Sequence, residues 1–343
     1  MIQCKSCGKK PAAMTIGLCA DCIRSKDDTE YLKEIHARTR KEFGLLSSPP
    51  ENPAGVRCRL CANECSLGEG ESGFCGLIKG LEGRAEPQCS RKSALAYMYL
   101  DPLPTNCCAA WFCPGSDLRG YNLAVFFYGC NFDCLFCQNA SHKGVRTAPA
   151  ITEDELIAQA LDPRVRCVCF FGGSPEPQLP FAVRVSKRIR DESGRKKPVC
   201  WEWNGAGNTR LAERAATLSM EMGGTIKFDL KASHPNLHLA LCGTGNKRTL
   251  HNFERIAEKT QGTDTLTATT LLVPHYIEAE EVEKIAGFIG GIDSDIPYSL
   301  LAFHPAHLLA DLPFTSHSLA ESCVTAARMH LNRVHVGNMH LLK

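Results

Sequence analysis

Three cysteines lie close together in the segment FFYGCNFDCLFCQNASH, at a spacing that suits a metal cluster. Cys130, Cys134 and Cys137 fall within eight residues, and no fourth cysteine stands beside them. A ferredoxin supplies one cysteine to each iron of a four-iron cluster, so three cysteines leave one iron with an open coordination position. Open metal positions are where substrates bind, as at catalytic zinc. The segment therefore predicts a cluster that takes part in chemistry and does not serve for electron storage alone.

A second group of cysteines near residue 1 has the spacing of a structural metal site. It consists of two Cys-x-x-Cys pairs, Cys4 with Cys7 and Cys19 with Cys22. Two such pairs supply the four thiolates of tetrahedral zinc, in a piece too small to fold on its own core. We predict a zinc knuckle over residues 1–25, with mononuclear iron or no metal as the alternatives.

Two further groups of cysteines follow. The stretch CRLCANECSLGEGESGFCGL predicts a zinc or iron–sulfur site, or a loop whose cysteines are small buried apolar residues. Its four cysteines are Cys58, Cys61, Cys65 and Cys75. A less regular group comprises Cys89, Cys107, Cys108 and Cys113. For that group, a ligand or redox role and simple packing both remain open.

Composition limits the class of protein. The chain has 343 residues, 44% of them hydrophobic, with a formal charge of +2, which gives no electrostatic argument for a nucleic-acid or membrane partner. No apolar run approaches the roughly 18 residues of a membrane span, and the first residues lack the apolar core of a secretion signal. Fifteen of the 20 cysteines lie in the first 137 residues, mostly at ligand spacing, which favours metal chemistry over disulfides. We expect a reducing, cytoplasmic location.

The elements that position these residues alternate in type after residue 120. Buried apolar strands such as NLAVFFYG, VRCVCFFGG and KPVCWEWNG alternate with amphipathic helices to the end of the chain. This pattern predicts an α/β fold, a full or partial TIM-type (β/α) barrel with N-terminal cysteine-rich metal-binding modules. The expected division is a zinc knuckle at 1–25, a helix and linker at 26–55, a cysteine-rich module at 56–120 and the barrel at 121–343.

The motifs together resemble the radical S-adenosylmethionine (radical SAM) superfamily. The resemblance rests on CNFDCLFC after the first barrel strand and on FFGGSPEPQ after the second. The segments VCWEWNG, IKFDLKA, LLVPHY, AFHPAHLLADLPFT and VHVGN, with CRLCANECSLGEGESGFCGL ahead of the barrel, extend it. They are similar to the branch that contains pyruvate formate-lyase activating enzymes and the AmmeMemoRadiSam enzymes. The extra N-terminal knuckle and the stretch CCAAWFCPG depart from that branch and indicate a specialised member.

This resemblance implies roles for particular residues. Cys130, Cys134 and Cys137 would hold a [4Fe-4S] cluster, and Phe136 would pack against the adenine of S-adenosylmethionine. The glycine-rich loop would offer Gly172 and Gly173 to the methionyl amine. Ser174 stands where many members have Glu, so Glu176 is the expected substitute. The candidates for catalytic or positioning roles at strand ends are Glu176, Asp229 and Lys231, and the further cofactor-binding candidates are Asn204 and His304. An ion pair at the barrel rim is the structural alternative for Asp229 and Lys231.

The resemblance also implies a reaction. One electron from the reduced cluster would cleave S-adenosylmethionine to methionine and a 5′-deoxyadenosyl radical, which abstracts a hydrogen atom from a carbon. The expected substrate is a residue of a partner protein or peptide, with ferredoxin or flavodoxin as reductant.

Three alternatives to this reaction stay open. The first is a cobalamin-dependent radical C-methyltransferase, in which histidines of the C-terminal quarter face a corrinoid; these are His304, His307, His335 and His340. No Asp-x-His-x-x-Gly motif is present, and such histidines are more often core or rim residues. The second alternative is an iron–sulfur electron carrier. The third is a zinc-ribbon nucleic-acid module, which the scattered basic residues do not support.

Overall fold

The structure is a computed structural model that describes residues 1–104, 107–194 and 197–343. Its strands are β1 (Ile2–Gln3), β2 (Pro11–Ala12), β3 (Val56–Arg57), β4 (Ser66–Leu67), β5 (Ile78–Leu81), β6 (Arg84–Pro87), β7 (Ser93–Pro102), β8 (Tyr121–Phe127), β9 (Ala150–Thr152), β10 (Val165–Gly172), β11 (Val199–Trp203), β12 (Ile226–Asp229), β13 (Leu266–Leu272), β14 (Tyr298–Ala302) and β15 (Val334–Gly337). Its helices are α1 (Ala20–Arg24), α2 (Glu30–Lys41), α3 (Glu153–Ala160), α4 (Leu179–Ser193), α5 (Thr209–Met222), α6 (Pro235–Cys242), α7 (Lys247–Thr260), α8 (Ala279–Gly290) and α9 (His317–Arg328).

The principal sheet has nine strands in the order β15-β14-β13-β12-β11-β10-β8-β7-β9. Strands β8 and β10 to β15 pair in parallel, each with its neighbour, while β7 runs antiparallel to both β8 and β9. In the described part of the chain β15 and β9 are the two ends of this order and do not pair with each other. The predicted α/β fold is confirmed, and it takes the partial form of the barrel.

Local sequence explains why the helices begin and end where they do. Thr152 caps α3 in a reciprocal capping box with Glu155, which satisfies two orphan donors of the first turn. Asn208 caps α5 by accepting a hydrogen bond from the Leu211 amide. At the other end of α5, Gly223 adopts the left-handed conformation that a residue with a Cβ disfavours.

The first 25 residues pack against the barrel. Buried residues of this segment, among them Ala13, Ile16 and Ile23, belong to the same hydrophobic core as the sheet. The amide of Ala13 donates to the Tyr276 hydroxyl at 2.9 Å, and the Thr15 hydroxyl donates to the Leu308 carbonyl at 2.7 Å. The cysteine-rich stretch around Cys58 has a smaller hydrophobic cluster of its own.

Several elements lie outside the sequence prediction. Strand β7, within the stretch predicted as a cysteine-rich module, pairs with β8, so the principal sheet begins before residue 121. Helix α6 was not predicted, since its eight residues have little amphipathic pattern. No helix in the described ranges is long and apolar enough to cross a membrane.

Candidate functional site

A cavity of about 800 Å³ lies at the principal sheet, and the three-cysteine loop (residues 130–137) opens onto it. The loop begins directly after β8, at the carboxyl end of that strand, where parallel α/β folds place their chemistry. The predicted site residues that line the cavity are Cys130, Cys134, Phe136, Cys137, Gly172, Gly173, Ser174, Asn204, Asp229 and Lys231. The fold therefore brings together side chains that are up to 101 positions apart in the sequence.

Backbone hydrogen bonds hold the three-cysteine loop against helix α6. The amide of Asp133 donates to the Cys242 carbonyl at 2.8 Å, and the amide of Leu135 donates to the Leu241 carbonyl at 2.9 Å. On the other side, the Leu308 amide donates to the Leu135 carbonyl at 3.0 Å. The loop is thus fixed from both sides by the barrel, which preserves the spacing of its thiols.

A buried carboxylate anchors the same loop to helix α2. Asp133 is fully buried, and its Oδ2 accepts hydrogen bonds from His36 Nδ1 at 2.8 Å and Thr39 Oγ1 at 2.7 Å. Its Oδ1 lies 2.6 Å from Lys143 Nζ and 3.6 Å from Arg40 Nη1. Burial alone would raise the pKa of Asp133, but these partners lower it below its ordinary value. We call these five residues the Asp133 network.

Polar side chains form a connected chain next to Cys130. The Asn204 Nδ2 amide donates to Asn131 Oδ1 at 2.8 Å and to Ser174 Oγ at 3.0 Å. The Ser174 hydroxyl donates to the Glu176 carboxylate, which also accepts the Gly205 amide at 2.6 Å. Burial raises the pKa of Glu176 to about 7, although these hydrogen bonds oppose the shift. Glu176 is fully buried and does not line the cavity, so its direct contact is with Ser174 and the backbone.

A lysine and an aspartate face the cavity from the end of β12. Lys231 Nζ lies 2.8 Å from Asp229 Oδ2 and 5.5 Å from the centre of the Phe136 ring. Thr269 Oγ1 donates to the other Asp229 oxygen at 2.6 Å. Burial would lower the pKa of Lys231, but Asp229, Cys134 and Cys242 raise it above its ordinary value. The predicted ion pair is present, and Lys231 is an ammonium beside the three-cysteine loop.

The glycine-rich loop after β10 requires residues without a Cβ. Gly172 has φ +114, and a Cβ there would lie 2.6 Å from the Phe127 amide nitrogen. The Gly173 amide donates to the Phe127 carbonyl at 2.8 Å, and the Ser174 amide donates to the Gly129 carbonyl at 3.2 Å. These bonds fix the glycine-rich loop against the three-cysteine loop.

The thiols of the site differ in their electrostatics. Burial raises the pKa of Cys130, and it raises that of Cys137 to about 11. The pKa of Cys134 is lowered, because a side-chain hydrogen bond with Cys242 and the Lys231 ammonium outweigh its burial. Metal binding to buried thiols releases their protons, so the adjacent ammonium favours the metal-bound form. Cys242 is fully buried, and the sequence analysis missed it.

The N-terminal cysteines form a compact group. The sulfur atoms of Cys4, Cys7, Cys19 and Cys22 all lie within 4.8 Å of one another. In residues 1–104, 107–194 and 197–343, three or more potential ligand atoms come this close only here. Burial opposes ionisation of Cys4, but backbone N–H groups lower its pKa to about 6. The structure thus brings the four predicted ligands together at a spacing that can hold a metal ion.

The second predicted metal group is buried but more widely spaced. Cys58, Cys65 and Cys75 pack in one hydrophobic cluster, and burial raises the pKa of each. Cys61 is also buried and interacts electrostatically with the other three.

Several predicted histidines lie away from the cavity. His304 does not line it, and its Nδ1 lies 3.2 Å from the Pro305 carbonyl. His307 contacts Lys143 at 3.3 Å, and His340 is exposed. His335 does line the cavity, where its ring stacks on Trp111 at 5.2 Å between centroids.

Comparison with known proteins finds similarities over the part of the chain that contains this site. Residues 124–289 match the family model of the Radical SAM superfamily. A Methanocaldococcus jannaschii protein named as a glycyl-radical enzyme activating enzyme is 24% identical over 186 residues, covering 53% of this chain and 67% of the relative. The pyruvate formate-lyase 1-activating enzyme of Escherichia coli K12 is 24% identical over 151 residues, covering 43% of this chain and 60% of the enzyme. These matches leave a third or more of each relative unaligned, and they confirm the predicted resemblance.

Solved structures give weaker similarities. A domain of the pyruvate formate-lyase-activating enzyme from Bacteroides vulgatus aligns with a TM-score of 0.42 and 17% identity, covering 50% of this chain and 98% of that domain. Streptococcus suis SuiB bound to S-adenosylmethionine aligns with a TM-score of 0.49 and 15% identity, covering 62% of this chain and 49% of SuiB.

Proposed function

We propose, from the match of residues 124–289 to the Radical SAM family model, that this chain is an activating-enzyme-type oxidoreductase that abstracts a hydrogen atom from a carbon of a partner protein. The observation that carries the proposal is the opening of Cys130, Cys134 and Cys137 onto a cavity of about 800 Å³ at the carboxyl end of β8. A cavity of this size lies within the range of sites for small molecules and cofactors.

The residues present fit an iron–sulfur cluster with S-adenosylmethionine beside it. Three thiols from one loop face the same cavity, and each would ligate a different iron. Bound there, the cluster and S-adenosylmethionine would supply one-electron cleavage to methionine and a 5′-deoxyadenosyl radical. Everything else in the reaction depends on how the chain binds, orients and encloses the reactants.

The polar chain at Asn204 is proposed to bind the polar end of S-adenosylmethionine. Asn204 and Ser174 are both buried, and both face the cavity next to Cys130. Glu176 would act as a positioning residue, because its carboxylate contacts Ser174 and the Gly205 amide and does not reach the cavity. Gly172 and Gly173 would offer backbone groups on the same side.

Lys231 and Asp229 are proposed to act on the other side of the cavity. The Lys231 ammonium would stabilise the thiolate of Cys134 and hold the Phe136 ring, which would then pack against the adenine. Half of the Asp229 side chain remains accessible, at 45%, so a free lone pair could accept a hydrogen bond from a bound hydroxyl or amine.

The two groups of cysteines ahead of the barrel are proposed to bind metal. Cys4, Cys7, Cys19 and Cys22, the Cys4 group, would bind zinc. Cys58, Cys61, Cys65 and Cys75 would bind zinc or an iron–sulfur cluster. We retain the division at residues 25, 55 and 120 as a proposal for module boundaries.

A reducing cytoplasm suits a chain whose cysteines are all free, and ferredoxin or flavodoxin would supply the electron. The names of the two activating-enzyme relatives favour a protein substrate.

The test is an anaerobic assay of the reconstituted full chain. Iron, sulfide, zinc and corrinoid are quantified, and then dithionite and S-adenosylmethionine are added. Wild type should form 5′-deoxyadenosine without S-adenosylhomocysteine. Cys134→Ala should abolish the formation of 5′-deoxyadenosine. The control Cys89→Ser should not, because Cys89 lies outside the cavity and a serine hydroxyl can donate to the Ser93 carbonyl as the Cys89 thiol does.

Two other results would replace this proposal. Equal formation of both products together with bound corrinoid would establish a methyltransferase. A reducible cluster without either product would leave an electron carrier. Continued 5′-deoxyadenosine formation by Cys134→Ala would mean that a different cysteine set is catalytic.

A further inference from the structure

Six cysteines that the proposed function does not use face the other end of the same cavity. Cys167 and Cys169 point inward from β10 and Cys200 from β11, while the segment after β7 contributes three more; these are Cys107, Cys108 and Cys113. Cys169 and Cys200 are register partners on adjacent parallel strands. Cys200 is the second residue of β11, so this group lies toward the amino ends of the strands, away from the three-cysteine loop.

The thiols of the segment after β7 have the local geometry of the predicted metal ligands. Cys107 Sγ accepts the backbone amide two residues on, Ala109, at 3.4 Å, and Cys113 accepts that of Gly115. The same contact occurs at Cys130, which accepts the Phe132 amide at 3.3 Å. Amide donors of this kind stabilise a thiolate and tune a cluster bound to it.

The strand cysteines divide into one donor and two acceptors. Cys200 Sγ accepts the Thr225 amide at 3.4 Å, and Cys169 Sγ lies 3.5 Å from Lys227 Nζ. The Cys167 thiol donates to Asn122 Oδ1 at 3.4 Å, which requires its proton. Cys169 and Cys200 are therefore better suited to bind as thiolates than Cys167.

A buried lysine supplies positive charge to the group. The Lys227 side chain is 2% exposed, and its Nζ lies 2.8 Å from Glu202 Oε1. The same nitrogen is 3.2 Å from Cys107 Sγ. A buried ammonium is costly unless anions surround it. The Glu202 carboxylate balances the charge of Lys227. The hydrogen bonds from Lys227 to the sulfurs would then stabilise an anionic group of thiolates and metal.

The spacing of the thiols favours a cluster over a single ion. In the part of the chain that the structure describes, no three of these sulfurs lie within 4.8 Å of one another, whereas the four of the Cys4 group do. A tetrahedral ion gathers its ligands as closely as the Cys4 group does. Cluster thiolates bind separate irons and stand further apart, as those of the three-cysteine loop also do.

We propose that Cys107, Cys113, Cys169 and Cys200 ligate an additional iron–sulfur cluster within the partial barrel, with Lys227 donating hydrogen bonds to two of the thiolates. We call it the inner cluster. Packing of cysteines as small apolar residues would explain burial. It would not explain amide donors to three of the sulfurs, or the hydrogen bonds from the Lys227 ammonium to two of them.

The test measures iron and acid-labile sulfide in the reconstituted full chain. Cys107→Ser with Cys113→Ser should lose between about two and about four irons per chain, with equal sulfide, according to cluster type. Cys89→Ser should lose none. The same double substitution, made in a chain lacking Cys130, Cys134 and Cys137, should remove a further equal amount. Because that chain cannot form the catalytic cluster, the iron lost from it reports on the inner cluster alone.

Two measurements keep the proposal testable if the double variant does not fold. In the wild-type holoprotein, Cys107 and Cys113 should resist iodoacetamide until iron is chelated, while Cys89 reacts before and after. Lys227→Met should retain its iron and lower the reduction potential of one cluster, and Lys227→Arg should restore it. Unchanged iron in the double variant, equal alkylation with and without chelation, or zinc in place of iron would overturn the inner cluster.

Discussion

Replacing Asp133 by Asn should destabilise the protein strongly, although the two side chains have nearly the same shape. The change removes the negative charge that faces Lys143 at 2.6 Å and Arg40 at 3.6 Å, both about 1% exposed. Opposite charges about 4 Å apart attract by about 4 kcal/mol at the effective dielectric of a protein, and desolvation offsets part of this. Stranding a buried cation costs about 3–5 kcal/mol. We expect a loss of that size in the free energy of unfolding.

The assay is urea unfolding of the metal-free chain under anaerobic, reducing conditions, followed by circular dichroism and tryptophan fluorescence. The control is Asp154→Asn, which removes an ion pair with Arg188 at 2.7 Å from a carboxylate that is 86% exposed. Such a surface pair contributes about 0–1 kcal/mol. Equal losses in the two variants would refute the stabilising role of the Asp133 network.

Acid provides a second measurement of the same network. The folded-state pKa of Asp133 lies below its unfolded value, so its stabilisation is fully present above the unfolded pKa of about 3.9. It should be lost as the pH falls through the folded pKa. Asp133→Asn should remove this component from the acid-unfolding curve, while Asp154→Asn should leave most of it. An unaltered acid curve in Asp133→Asn would contradict the assignment.

Two further predictions concern protonation and metal. Glu176 has a pKa raised to about 7, so the wild-type protein should lose stability as the pH rises from about 5 toward 8. Glu176→Gln should reduce this loss, measured as the difference in the free energy of unfolding by urea between pH 5.5 and pH 8. The same difference in both proteins would contradict the prediction. Cys4→Ser with Cys7→Ser should lose about one zinc per chain by elemental analysis and lower the unfolding midpoint, while the cluster absorbance stays; loss of that absorbance too would show that the knuckle supports the barrel.

Local sequence patterns predicted the parts of the site that depend on local structure. The spacing of the three cysteines and the ends of the strands at Gly172 and Asp229 each depend on only a few neighbouring residues. The sequence therefore predicted that these residues follow strands of one parallel sheet, and they line one cavity. The gathering of Cys4, Cys7, Cys19 and Cys22 was likewise evident from two short pairs. Resemblance to a family added roles that spacing alone does not give.

Long-range contacts explain what the sequence analysis missed. Cys242 meets Cys134 only because α6 packs beside the three-cysteine loop, and α6 has too weak a pattern to predict. The partner of Asp133 at His36 is 97 residues away, so the Asp in CNFDC has no local feature that indicates an anchor. Strand β7 is antiparallel within a mostly parallel sheet, which alternation of strands and helices does not predict.

The docking of the first 25 residues has a consequence for synthesis on the ribosome. The Ala13 amide reaches the Tyr276 hydroxyl across 263 positions of the chain. At 5–20 residues per second, the ribosome needs roughly 15 to 50 seconds to make the partner after the first segment has emerged. During that interval the segment has no barrel to pack on. Early metal capture by Cys4, Cys7, Cys19 and Cys22 would give the nascent chain a folded segment before the surface that it packs against has been made.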